Sequence, residues 1–281
     1  MILSGKIALI TGATGTIGGE IARHFAREGA RLVLSGRSEE QLKKRQHELS
    51  GLTSVEIFPA DVADAKAVQE CLAFVEKKCG QLDVLVCAAG TLGEVGTLEQ
   101  CDPDSWLTAF KVNVLGTMMA IKYALPLLKK SPCGKIITFA GAGEGAFPRF
   151  SSYASSKGAI VRFTETVAAE LQPLGITVNA ISPGAVASGL REEIIAAGAA
   201  RAGAEKYAAA QGAGSEQPVP PNKAAALAVW LASEKSSGLT GKNISAVWDR
   251  YEDIPNHLSE IMKSDIYNWR RIKPKDRGYD W

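Results

Sequence analysis

At 281 residues the chain is long enough for one large core, and 46% hydrophobic against 22% charged residues is an ordinary globular balance, which excludes disordered, collagenous and disulfide-scaffold classes. The 32 basic and 30 acidic side chains leave a formal charge of +2, so nucleic-acid or membrane binding driven by net charge is not expected and small-molecule ligands are. Five cysteines, Cys71, Cys79, Cys87, Cys101 and Cys133, form an odd set with no CxxC pair, against a disulfide framework or a metal site. With no basic leader and no run of ~20 apolar residues, a cytoplasmic protein is expected.

Short apolar runs recur at 7–10, 32–34, 55–58, 84–87, 136–139, 176–181 and 244–247, a pattern that suits strands buried on both faces. Between the first two, Ile17, Ile21 and Phe25 recur every four residues beside Glu20, Arg23 and Arg27, predicting a helix that Gly29 stops. A second stripe, Ile160, Phe163, Val167 and Leu171, ends before Pro173 and Gly175. Strands alternating with helices predict an α/β fold, a doubly wound parallel seven-stranded sheet in three layers. Such sheets bind ligands at the carboxyl ends of their strands, near the point where strand order reverses.

Two regions break the rhythm. Residues 190–221 are rich in Ala and Gly and close on Pro218, Pro220 and Pro221, predicting one or two mobile helices and a stiff exit, suited to a substrate lid. After Trp248 the chain carries Trp269, Tyr279 and Trp281 among Arg270, Arg271, Lys273, Lys275 and Arg277. This tail either packs on its own domain or a neighbouring subunit, or brings its basic run to a phosphate in the site. The expected organisation is a catalytic domain over 1–249 and an extension over 250–281.

The first strand runs into Thr11-Gly12-Ala13-Thr14-Gly15-Thr16-Ile17-Gly18 and then a helix. Glycines there allow a tight turn and let a pyrophosphate approach backbone N–H groups at a helix N-terminus, as in a dinucleotide site. An acid at the end of the second strand would select NAD by binding its 2′-hydroxyl. The chain instead has Ser35-Gly36-Arg37-Ser38; Arg37 offers a fork of donors and the serines offer hydroxyls to a 2′-phosphate, favouring NADP(H) over NAD(H). Further on, Tyr153-Ala154-Ser155-Ser156-Lys157 sets a lysine one helical turn from a tyrosine. A cation there favours phenolate and would lower the tyrosine towards a range useful for proton exchange.

Together these segments resemble the short-chain dehydrogenase/reductase family over residues 4–248. Asp61-Val62 is similar to its adenine-contacting acid and neighbour, Cys87-Ala88-Ala89-Gly90 to its Asn-Asn-Ala-Gly segment, Asn113-Val114-Leu115-Gly116 to the segment with the catalytic-relay asparagine, and Pro183-Gly184-Ala185-Val186-Ala187-Ser188 to the loop that holds the nicotinamide amide. The resemblance implies a Rossmann fold and a homo-oligomer, dimer or tetramer. It implies hydride transfer between nicotinamide and a small carbonyl or alcohol, with Tyr153 as acid/base, Lys157 binding the nicotinamide ribose and tuning Tyr153, and Asn113 holding a water that links Lys157 to solvent. The cofactor would lie against Gly12, Thr14, Gly15, Thr16, Ile17, Gly18, Arg37, Asp61, Val62, Ala88, Ala89, Gly90, Pro183, Gly184, Val186 and Ser188.

The chain departs from the family at several points. Thr16 stands at the middle glycine of the turn, so Gly12, Gly15 and Gly18 take the spacing of the branch that includes nucleotide-sugar epimerases and dehydratases. Cys87 replaces an asparagine. Thirteen residues before Tyr153, where the family places its catalytic serine, the chain has Ala140; loss of such a donor costs ~2.7–4 kcal/mol. Thr138, Glu144, Arg149, Ser151, Ser152 or a substrate hydroxyl could substitute. The expected function is an NADP(H)-dependent reductase or alcohol dehydrogenase. The alternatives are a weakened or inactive NADP-binding sensor, and an epimerase or dehydratase acting on a nucleotide sugar.

Overall fold

The computed structural model describes residues 1–141, 145–213 and 218–281. In chain order the elements are β1 (Ile7–Thr11), α1 (Thr16–Arg27), β2 (Arg31–Gly36), α2 (Glu39–Leu49), β3 (Val55–Pro59), α3 (Ala65–Cys79), β4 (Val84–Cys87), α4 (Pro103–Ala109), a π-helical turn (Phe110–Leu115), α5 (Gly116–Leu128), β5 (Lys135–Phe139), α6 (Ser151–Leu171), β6 (Thr177–Ser182), α7 (Gly189–Ala202), α8 (Ala204–Ala210), α9 (Asn222–Ala232), β7 (Asn243–Ser245) and α10 (Ile254–Lys263). The strands form one parallel sheet in the order β3-β2-β1-β4-β5-β6-β7. Strand order reverses between β1 and β4, which puts the crevice for a ligand above their carboxyl ends.

Alternation along the strands decides which helix covers which face. Ile10, Leu32, Leu34 and Ile137 pack with Ile21 and Phe25 of α1, Leu42 of α2 and Leu227 of α9 on one side; Leu9, Val33, Leu85 and Ile136 pack with Val75 of α3, Ala124 of α5 and Leu171 of α6 on the other. The helix breaks fall at the expected glycines, Gly29 and Gly175 standing at φ 83° and 70°, where a side chain would be strained. Among the described residues no helix is long and apolar enough to cross a membrane.

One expectation shifts. The last apolar run yields a strand that ends two residues early, at Ser245, because the Ser245 hydroxyl accepts the N–H groups of Val247 and Trp248, and Asp249 accepts that of Ser245; these side chains offer the backbone a turn in place of a ladder. The tail meets its own domain. Tyr267 O accepts from Asn243 N at 2.9 Å at the edge of β7, Lys242 Nζ donates to the Ser264 and Ile266 carbonyls and to Asn268, and Glu165 of α6 accepts from Trp269 N. Within the tail, Arg270 is engaged by Asp265 and Asp276.

Candidate active site

The glycine turn is shaped by two close approaches. Gly12 stands at φ 66°, and a Cβ on it would lie 2.5 Å from Ala89 N; a Cβ on Gly18 would lie 2.3 Å from Gly12 O. Both positions therefore exclude any side chain, and they draw Ala88, Ala89 and Gly90 after β4 against the turn. Thr16, at the family's middle glycine, is the first residue of α1 and exposed, so the departure leaves the turn intact. Gly15 caps α1 without a side chain and the first turn carries no acid, leaving N–H groups open towards an anion at the positive end of the helix. This cradle fits a dinucleotide pyrophosphate.

Around it stand the other expected residues. Thr14 packs under Gly36, whose Cβ would lie 3.2 Å from Thr14 Oγ1, and Arg37 follows, exposed and without a hydrogen-bond or ion-pair partner among the described residues. Ser38 caps α2 by accepting from Gln41 N. Ser35 does not reach this corner: it is buried with its hydroxyl against the Cys71 thiol, because its strand position turns it into the sheet's other face. Asp61 holds the N–H of Ala63, and Val62 lies under Gly116, where a Cβ would meet it at 2.9 Å. Gly184 turns at φ 78° against Val219 and Val247; Val186 bridges to Val219, and Ser188 opens α7.

The first turns of α6 bring Tyr153 and Lys157 to the ends of β4 and β5. Lys157 Nζ donates to the Phe139 carbonyl at 2.9 Å and lies 5.7 Å from the Tyr153 ring centroid. Asn113 sits in the π-helical turn, where the widened backbone redirects its side chain: its amide donates to the Thr91 carbonyl (3.0 Å) and the Ser156 hydroxyl (2.9 Å), while its Oδ1 accepts from Thr91 N (2.9 Å). Asn113 thus ties the loop after β4 to α6. Gly90 closes the gap: a Cβ there would lie 3.4 Å from Asn113 Oδ1 and 3.9 Å from Lys157 Nζ.

Burial, with the Glu193 carboxylate acting in the same direction, pushes the Tyr153 phenol up to about 12, and burial alone pushes Lys157 down to about 8. This reverses the expectation of a phenol lowered by its lysine. The lysine is itself dry, which disfavours the charge that would do the lowering, and its ammonium is spent on the Phe139 carbonyl. Near neutral pH Tyr153 holds its proton.

The missing serine is placed differently from the sequence spacing. Ala140 is turned into the core with Val161 and Ala180. The residue opposite the phenol is Gly141, where a Cβ would lie 2.9 Å from Tyr153 Oη; it stands twelve residues before the tyrosine, so the intervening loop is one residue shorter than the counting assumed. The proposed substitutes are engaged elsewhere. Thr138 is fully buried and bonded to Thr164 Oγ1 at 2.8 Å; Ser151 accepts from the Trp106 indole; Ser152 donates to the Trp106 carbonyl; Arg149 donates to the carbonyls of Ala200 and Arg201. Glu144 lies outside the described residues.

Opposite Tyr153 stands the segment expected as a lid. Leu190 and Ile194 of α7 pack with Leu92, Phe147, Phe150 and Tyr153 in one apolar cluster. Glu193 Oε2 accepts from the Thr91 hydroxyl (2.9 Å) and Leu92 N (2.8 Å), and Arg201 is bound to Glu94 and the Val95 carbonyl. Sequence reading missed Glu193 and Ser156. Ser156 lay inside the Tyr-x-x-x-Lys segment, but Glu193 is forty residues from Tyr153 and carries no local signal.

With this geometry in place, the family model described as enoyl-(acyl carrier protein) reductase matches residues 12–246. The chain belongs to the short-chain dehydrogenase/reductase family. The D-beta-hydroxybutyrate dehydrogenase of Cupriavidus necator is 31% identical over 255 residues, covering 88% of this chain and 97% of that protein. The 2,3-dihydro-2,3-dihydroxybenzoate dehydrogenase of Bacillus subtilis is 36% identical over 185 residues, 65% of this chain and 70% of that one. Among solved structures, an NAD+-bound xylitol dehydrogenase superposes with a TM-score of 0.80 at 28% identity, covering 87% of this chain and 98% of that chain. A short chain dehydrogenase from Shigella flexneri complexed with NADP gives 0.75 at 27%, covering 87% and 98%. The protein is an oxidoreductase of this family, using a nicotinamide dinucleotide and acting on CH–OH groups.

Proposed function

We propose that the chain is an NADP(H)-dependent oxidoreductase that moves hydride between nicotinamide and a small carbonyl or alcohol, with Tyr153 as the acid/base. The observation that carries this reading is a dry, protonated phenol at Tyr153 beside Lys157, at the carboxyl ends of β4 and β5 and next to the glycine cradle. When bound, the nicotinamide supplies or accepts the hydride. In reduction, Tyr153 gives its proton to the substrate oxygen as the carbonyl carbon gains hydride; in oxidation it takes the proton back. Lys157 follows the charge on Tyr153, and the Asn113 clamp holds α6 and the loop after β4 in register for this exchange.

Support for NADP(H) comes from Arg37, unpartnered among the described residues at the end of β2, where no acid stands to repel a 2′-phosphate. Residues 1–249 form the catalytic unit in this reading and α7 and α8 its lid, with 250–281 as an extension and a homo-oligomer as the working form. A second reading, a weakened or inactive nucleotide-binding protein, draws on Gly141, which puts no side-chain hydroxyl at the position facing the Tyr153 phenol. The test is oxidation of NADPH and of NADH over ketones, aldehydes, quinones and keto-sugars, with wild type and Tyr153→Phe in parallel. Wild-type turnover, faster with NADPH and lost in Tyr153→Phe, is the expected result; turnover by neither protein sinks the catalytic reading.

A further inference from the structure

At the position facing the phenol Gly141 offers no hydroxyl; Ser152 donates to the Trp106 carbonyl, Thr138 is paired with Thr164, and Ser151 is held as acceptor by the Trp106 indole. The three arginines near the lid are also committed: Arg149 to two backbone carbonyls, Arg191 to the Ala210 carbonyl and Arg201 to Glu94. None of these three is left to receive a substrate carboxylate, and the lysine nearest the cluster, Lys206, stands over the Phe147 ring. What the site does contain is the Glu193 carboxylate, on the helix whose Leu190 and Ile194 pack with Tyr153 and bonded to Leu92 of the same cluster.

Its two oxygens are not equivalent. Oε2 takes both protein donors, the Thr91 hydroxyl and Leu92 N, whereas Oε1 has no hydrogen-bond donor among the described residues. Thr91 is in turn fixed by Asn113, and Leu92 and Tyr153 belong to the same apolar cluster, so the carboxylate is held in a set position relative to the reacting group. A fixed carboxylate oxygen in a half-dry pocket demands a donor and repels an anion.

We propose that Glu193 is the specificity-determining residue of the site, its Oε1 accepting a hydrogen bond from a substrate hydroxyl beside the reacting carbon, so that the enzyme selects vicinal diols and α-hydroxyketones over simple alcohols and over hydroxy acids. This rests on Tyr153 marking the reacting carbon, as in the reading above. Simple alcohols leave Oε1 unpaired, and hydroxy acids bring a second negative charge to it.

The test uses three four-carbon probes, 2,3-butanediol, 2-butanol and 3-hydroxybutyrate, with the full chain as wild type and Glu193→Gln. A glutamine keeps a carbonyl oxygen for Thr91 and Leu92 but puts an amide donor where Oε1 stood, separating recognition from the lid contact. Two quantities are read: kcat/KM for oxidation with NADP+ or NAD+, and the dissociation constant of each probe from protein loaded with the reduced cofactor, where no turnover is possible. Expected in wild type is at least a tenfold preference for the diol over 2-butanol, carried mainly by KM and matched in the dissociation constants, with 3-hydroxybutyrate weakest. In Glu193→Gln the diol preference falls at least tenfold and 3-hydroxybutyrate gains. Equal binding of diol and mono-alcohol by wild type overturns the proposal, as does a diol preference that survives in Glu193→Gln. Selective diol binding without turnover would instead leave the role of Glu193 standing and remove the hydride-transfer reading.

Discussion

Replacing Lys157 by methionine keeps the length of a buried side chain and removes its charge. Burial holds this lysine near 8 against 10.5 for a free one, and each tenfold change in proton affinity is about 1.36 kcal/mol, so the folded state carries a cost of about 3 kcal/mol at pH 7. The sign follows from the depressed value: the cost is fully present below the folded value of about 8 and fades as pH rises towards 10.5. Against it stands the bond to the Phe139 carbonyl at 2.9 Å, whose loss leaves a buried acceptor unpaired for about 1–3 kcal/mol. Because the neutral amine still donates, that second quantity does not change with pH. The stability of Lys157→Met relative to wild type, measured by urea unfolding without cofactor, should therefore decline by about 2 kcal/mol between pH 7 and pH 9.5 as the wild type sheds its cost. A pH-independent difference, or one that grows with pH in favour of the variant, would refute the reasoning.

Gly12→Ala forces a side chain onto φ 66° and to 2.5 Å from Ala89 N; a loss of more than about 2 kcal/mol in urea unfolding is expected, with loss of NADPH binding in fluorescence titration. Ala140→Ser buries a hydroxyl against Val161 and Ala180 and should destabilise the fold by about 1–3 kcal/mol without raising turnover; a gain in kcat on simple ketones would place the serine site at 140 after all. Arg37→Ala should raise KM for NADPH about 10- to 100-fold, the scale of a charged hydrogen bond, while leaving KM for NADH nearly unchanged. Cys87, buried and pushed up to about 12, should resist iodoacetamide in the folded protein and react once it is unfolded.

The parallel sheet and its helix layers were legible because the strands are nearly continuous apolar runs and the helices between them keep a strict stripe, as from Ile17 to Phe25; the order of the strands was not. The cradle was legible because Gly12 and Gly18 are needed by backbone contacts that leave no room for a Cβ. What could not be read locally depended on distance or loop length. Counting back from Tyr153 selected Ala140, but the strand's alternation turns that residue into the core and leaves Gly141 facing the phenol. Spacing set Lys157 beside Tyr153 but carried no information on dryness, which raises the phenol and lowers the amine. Ser35 looked like a phosphate donor until its strand parity sent it to Cys71. Glu193 became visible only when α7 folded back onto Thr91 and Leu92.

The most direct measurement of the central claim follows a single atom. Protein incubated with NADPH deuterated at the transferring position of the nicotinamide and with α-hydroxyketones, ketones and aldehydes is analysed for product by mass spectrometry, for wild type and Tyr153→Phe. Expected is one deuterium on the new carbinol carbon with wild type, formed about 10²–10⁴ times more slowly by Tyr153→Phe, the range for loss of a positioned acid. Deuterium transfer at the same rate in both proteins, or product without deuterium, would contradict it.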